Sequence, residues 1–584
     1  MFEKNNLDNM IVDNTRPLVA EKRKQFLIIF ILIFIFVATL ISLSIIIIYL
    51  YIRNKPIKEE RQGYPIYGLF ECTYYKGIGE KLYIFSNNAV DISKLRITIN
   101  NTIYNGTNVE IIQNGYIKVK IEFNSPLNMD YLFANTQLND IKMISTQKGI
   151  ITSMKETFSG CDRLDYFNIS GFDTSKVKNI SRLFFKNEEL KEVYFNDFNT
   201  ENVEDMSELF SECSRIENID LSKFNTKNVI KMSKMFNKCR LLKNLDISNF
   251  DTRNVEKMNK MFHFCSQLPK LEIPKTFKTN KVTSMGHMFE YCSVLTSIDL
   301  SSFDTNSVTN MGRMFTYCRT VSNLDVSHFN TSKVQKMNEM FSKCSNLESL
   351  DISNFITNNV YNMSFLFYSI KVTSLDLSKI NTNNVIEMNS MFKEMTQIKT
   401  LDLSSFDTLK VTTMNEMFDG CLNLTNIIIN TKIFDTRNVV NMNRLFNGCK
   451  NLINIDLTKF DTNNVESMTK MFAGCESLTS LNLTNFDTSN VKYMDEMFNG
   501  INLTSLDLSG FSTYEVRTMK KMFYSCKYLQ NLNLLNFDTH QCINFEQITE
   551  NTDNNLTIIL SKNNINNNQK LYEALGENIT IIYL

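Results

Sequence analysis

"VTTMNEMFDGCLNLTNI", Val411 to Ile427, sets two methionines, a phenylalanine and a cysteine within eight residues, and close copies of it run along most of the 584-residue chain. Aligned on the phenylalanine, the copies fall at Phe158, Phe184, Phe210, Phe236, Phe262, Phe289, Phe315, Phe341, Phe367, Phe392, Phe418, Phe446, Phe472, Phe498 and Phe523, with a weaker copy around Phe133. Ten of the fourteen spacings are 26 residues, and a fixed period of this size predicts a solenoid. Each coil is too small to bury its own apolar face and must lean on its neighbours.

Each period divides into two halves. In "IKTLDLSSFDT", Ile398 to Thr408, the apolar residues follow the L-x-x-L-x-L spacing of a leucine-rich repeat, a short strand with Leu401 and Leu403 inward and Asp402 and Ser404 outward. In the other half Val411, Met414, Met417, Phe418 and Cys421 form one stripe of a helix, with Thr408 placed either to cap it or to close a local turn. The expected fold class is therefore α/β: a leucine-rich-repeat solenoid with one continuous parallel β-sheet, helical segments behind it, and an N-terminal transmembrane helix.

The sulfur-rich half invites a reading as soft metal ligands, and the chain's own substitutions argue against it. Leu183, Leu209, Leu366 and Leu445 replace the second methionine, and Ile370 and Ile501 stand in the cysteine slot. Leucine and isoleucine cannot ligate a metal, so Met and Cys read as a buried apolar ladder. An odd number of ladder cysteines, pointing the same way, speaks against disulfides between coils.

Two acidic series recur. The residue after the strand phenylalanine is Asp or Asn (Asp173, Asn199, Asn225, Asp251, Asp304), which share an acceptor oxygen for the turn backbone. The second series, Asp220, Asp246, Asp299, Asp325, Asp351, Asp376, Asp402, Asp456 and Asp507, points out of the strand as a candidate binding stripe. Beside it the residues between the first two strand leucines vary from coil to coil. Lys243, Lys270, Glu348 and Lys399 are among them, and they are the positions expected to discriminate partners.

The recurring "LDLSSFDT..VT.MNEMFDGC..L" resembles the repeat of BspA-like leucine-rich-repeat surface proteins, over roughly Asn128 to Asp538. The resemblance implies an adhesive or host-interacting cell-surface protein with no catalytic residues and no cofactor to carry over. The departures lie outside the repeats, where neither a lipoprotein cysteine nor a wall-sorting signal is found.

Anchoring would then rest on Phe26 to Ile52, 27 uncharged residues, more than the roughly 20 a bilayer core requires. Basic residues flank it almost equally, and the short N-terminal side is placed inside. The expected division is a cytoplasmic tail at 1–25, a transmembrane helix at 26–52, a linker and small β-rich capping module at 53–127, about 15 coils at 128–548, and a C-terminal cap at 549–584. Lys+Arg and Asp+Glu both total 62, which gives no basic excess for a nucleic-acid partner. The abundance of Asn, Ile and Lys is taken as the codon bias of an AT-rich genome.

The four histidines, His263, His287, His328 and His540, fall where most coils carry other residues and read as surface or edge packing; no enzyme motif and no metal site is expected. The function expected is adhesion to, or recognition of, a protein or glycan on another cell or matrix. The alternatives are a surface sensor and an intracellular scaffold of opposite topology.

Overall fold

The computed structural model of the chain describes residues 39, 66–104, 114–145, 150–168, 171–576 and 579–584. The expected tail and membrane helix lie outside the described residues, Thr39 apart. Among the described residues no helix is long and apolar enough to cross a membrane.

The repeats form a parallel β-solenoid of about 17 turns. Its axis is a column of rings. Phe133, Phe158, Phe184 and their successors to Phe523 stack face to face with centroids 5.4 to 6.3 Å apart and planes within 17° of parallel. Both methionine positions and the cysteine position of each coil are buried around this column.

The helix expected behind each strand is absent: between Leu127 and Leu560 no α-helix occurs among the described residues. In the coil around Phe210, the N–H groups of Met206, Glu208, Phe210 and Glu212 donate to carbonyls of the next coil, at Lys231, Ser233, Met235 and Asn237, over 2.7 to 2.9 Å. The intervening Leu209, Ser211 and Cys213 close i to i+3 turns within the coil. Glu208 and Glu212 have φ of 57° and 68°, and the matching residues of the other coils are also left-handed, which an α-helix does not tolerate. The apolar stripe misleads because overlapping three-residue turns return to one face almost as a helix does.

The continuous sheet also needs correction. On the strand side, regular pairing occurs in short parallel pieces, such as Asn218–Asp220 with Asn244–Asp246 and Thr400–Leu403 with Asn426–Ile429. The unbroken line of parallel bridges lies in the other half, from Asn179 through Asp205 and Lys231 to Asn544, at the residue before the first methionine.

Two polar ladders lock the coils in register, and a third series closes a turn within each coil. Thr408 caps no helix; its Oγ1 donates to the Asp435 carbonyl and accepts from the Asp435 N–H, both at 2.7 Å, one coil away. Thr226 and Asp251, Thr331 and Ile356, and Thr513 and Asp538 repeat the arrangement. The Asp or Asn after the strand phenylalanine accepts the N–H two residues on, as Asp173 does from Ser175. Just before the valine that recurs from coil to coil, Asn202, Asn228 and Asn254 each donate Nδ2 to a carbonyl of the preceding coil.

Both ends of the stack are covered. Gly68–Lys76 pairs antiparallel with Gly115–Phe123 and with Leu138–Ser145, a strand that follows Phe133 of the first coil, within a five-stranded sheet. Phe70 from this sheet sits 5.9 Å from both Phe133 and Phe172. At the far end four parallel strands run from Ser505–Asp507 to Thr580–Tyr583, with the helix Gln569–Ala574 between the last two. Buried Asn568 closes the threonine ladder by accepting from Thr539 Oγ1 at 2.9 Å.

All thirteen cysteines are buried and free. In the ladder each thiol donates to the carbonyl of the preceding coil's phenylalanine, as Cys318 does to Phe289 at 3.2 Å. Burial pushes the thiols of Cys292, Cys344 and Cys421 up to about 12, so they stay protonated and unreactive at neutral pH.

Two outcomes are expected. Thr331→Val, which strands both backbone groups of Ile356, should lower the unfolding free energy by about 1–3 kcal/mol in urea titrations, while Thr331→Ser should recover most of the loss. Native protein at pH 8 should leave the ladder cysteines unlabelled by a thiol reagent that modifies them in denaturant, and Cys318→Ala should cost on the order of 1 kcal/mol.

Candidate functional site

The strand of each coil presents alternate residues outward, and Asp220, Asp246, Asp299, Asp325, Asp351, Asp376, Asp402, Asp456 and Asp507 are all exposed there. Each carboxylate has a structural task. Asp299 Oδ1 accepts the Ser301 N–H at 2.9 Å, and Asp325, Asp351, Asp376 and Asp402 do the same with the residue two places on, ending the strand in a tight turn. Hydrogen bonds from Ser301 and Ser353 hold the Asp299 and Asp351 carboxyls below the usual range, for Asp351 against the repulsion of Asp325 and Asp376 in the neighbouring coils.

Aligning the coils adds Glu272, an exposed acid in the gap between Asp246 and Asp299 that a search for Asp passes over. Eight consecutive coils from Asp220 to Asp402 thus carry an acid at this position, over roughly 35 Å at strand spacing. The row is then broken: Asp402 pairs in register with Ile428, and Asp507 with Asn533. Asp456 and Asp507 stand apart from the continuous stretch.

The variable flanking residues Lys243, Lys270, Glu348 and Lys399 are exposed beside this row. Lys243 Nζ lies 2.8 Å from Glu217 and Lys270 Nζ 2.5 Å from Glu272, so part of the basic flank is already paired. Asp220, Lys243, Asp246, Lys270 and Glu272 line a shallow cleft of about 570 Å³. The face therefore offers an acidic line with changing borders, suited to contacts over a long surface.

On the turn side a second polar cluster escaped the reading of the sequence. His263 and Glu290 occupy the residue after the stacked phenylalanine in consecutive coils, and His287 lies three residues before Glu290. Burial raises the Glu290 carboxyl pKa, but hydrogen bonds from His263 and His287 outweigh it and hold the group at about 2. For His263, burial lowers the pKa against the pull of Glu290. The signal was available only by aligning coils, because the two histidines are 24 residues apart and form no local motif.

A comparison with curated proteins gives no match. Among solved structures, one similar chain is that in the "Crystal structure of TLR13-ssRNA13 complex", at 13% identity over 70% of this chain and 69% of that one. Its TM-score of 0.14 is too low to support any argument. The family described as "Mycoplasma protein of unknown function, DUF285" matches in overlapping stretches, 127–244, 152–271, 241–349, 269–374, 295–401, 343–454, 394–481 and 442–562. These stretches tile the solenoid and span well over half of the chain, which therefore belongs to the DUF285 family.

Proposed function

We propose that the protein is a non-catalytic recognition protein, held to a membrane by Phe26 to Ile52 with its solenoid outside the cell, and that it binds a protein or glycan on another cell or matrix through the strand face. The observation that carries this reading is the acidic line of eight coils with borders that differ in each coil. A uniform row supplies a general attraction for basic surfaces, and the changing pairs beside it supply choice. Glu217 is half-exposed, while Asn218, Lys243, Asn244, Pro269, Lys270, Thr296, Ser297, Glu348, Ser349, Lys399 and Thr400 are exposed and so within a partner's reach. The resemblance of the repeat to BspA-like surface proteins supports the same reading.

Protease applied to intact cells is expected to trim the solenoid; full protection would assign it to the interior and sink the surface reading. Replacing Asp299, Asp325, Asp351 and Asp376 together by Asn keeps the acceptor that ends each strand and removes only charge. Binding by the full chain to cells or matrix should then weaken in a salt-dependent way with the partner unchanged. Exchanging the variable pairs of several central coils should change the partner instead. Selectivity lost in the Asn variant and kept in the exchanged one would reverse the assignment.

A further inference from the structure

Three metal-ligating side chains meet where the coils of Phe262 and Phe289 stack. His263 Nε2 lies 3.1 Å from Glu290 Oε2, His287 Nδ1 lies 2.5 Å from the same oxygen, and the three ligand atoms fall within 4.8 Å of one another. Zinc bonds to imidazole nitrogen at about 2.0–2.1 Å and to carboxylate oxygen at about 2.0–2.2 Å, which sets ligands of a tetrahedral site about 3.3 Å apart. The observed triangle needs side-chain shifts of about an ångström or less to meet that geometry.

We propose that His263, His287 and Glu290 form a binding site for a borderline divalent transition metal, zinc foremost, with the fourth position open to solvent. Two imidazoles and one carboxylate are a donor set that suits zinc and disfavours calcium or magnesium, which prefer oxygen.

The surroundings prepare these ligands. Asn237 Nδ2 donates to Ser211 Oγ at 2.9 Å, which turns the amide oxygen toward His263, 2.7 Å from Nδ1. When the neutral ring gives its one N–H to Asn237, Nε2 turns its lone pair toward Glu290, and a cation bound between them takes the place of the proton that otherwise joins the pair. Arg313 lies 3.7 Å from Glu290 Oε1, the other carboxylate oxygen, and is itself paired with Glu339 at 2.6 Å, which leaves Oε2 to the histidines.

Backbone bonds fix the frame: Lys238 donates to the His263 carbonyl at 2.7 Å and Phe264 to the Glu290 carbonyl at 2.8 Å. Access is through His287, whose side chain is 30% exposed against 5% for Glu290.

The test is calorimetric titration of the full chain, stripped of metal, with zinc chloride, followed by X-ray absorption on the loaded protein. Saturable binding of one zinc per chain with a shell of nitrogen and oxygen is expected. The variants borrow residues the chain already carries at these places, His263→Asn as at Asn237 and His287→Lys as at Lys260, so circular dichroism should report an unchanged solenoid. Each should weaken binding at least tenfold, and Asn237→Ala, which acts through the His263 ring, should weaken it roughly tenfold. No saturable zinc binding by the unaltered chain, a shell of sulfur, or undiminished binding in the folded His263→Asn, His287→Lys double variant would overturn the site.

Discussion

Half of the N–H groups in the turn segment of each coil point along the solenoid axis, where their own coil has no acceptor for them. They are satisfied by the next coil, as Phe210 is by Met235 at 2.8 Å, and this one bond type sets the spacing that every side chain must then obey. A ring at the axis meets a ring at that spacing, so phenylalanine above phenylalanine stacks without a gap. Substituting an aliphatic residue there in a single coil would leave two neighbours facing a void. The period of the sequence is the image of this constraint, since a residue suited to one coil is suited to the same place in the next.

What was legible in the sequence was what repeats. Phe158 to Phe523, the Met and Cys slots, and the acceptor role of Asp173 and Asn199 could be read because many copies average out local noise. The secondary structure of the turn half could not. Met206, Leu209, Phe210 and Cys213 fall on one side whether the backbone winds as a helix or closes successive turns, and only the left-handed φ of Glu208 and Glu212 separates the two. Glutamate does not announce such a backbone, but Gly160, Gly420, Gly448, Gly474 and Gly500, which stand in the column of Glu212 with φ of 66° to 72°, carried the signal. Glu272 and the His263, His287 and Glu290 cluster were missed for a different reason: each is an exception within its column, visible when coils are compared by position instead of by motif.

The composition also takes on a physical meaning. Asparagine abundance, read first as codon bias, has structural employment in the column of Asn202, Asn228 and Asn254, whose amides tie each coil to the one before. The equality of 62 basic and 62 acidic residues has a local counterpart two residues before the phenylalanine. There Glu156, Arg182, Glu208 and Lys234 alternate in sign, with contacts of 3.1 to 3.3 Å from coil to coil. Each such pair is worth little alone at a solvated surface, and a run of like charge in that column would repel at every step.

The coil-to-coil bonds also decide how the molecule answers a load. They are shared out in small groups, one group per junction, so a pull that separates the two ends loosens the outermost junction before it tests the next. Each coil that peels away frees 26 residues, which extend to roughly 90 Å of chain where the folded coil contributed about 5 Å. A solenoid built this way is a stepwise shock absorber: it lengthens many times over in discrete increments while the coils still stacked keep their shape.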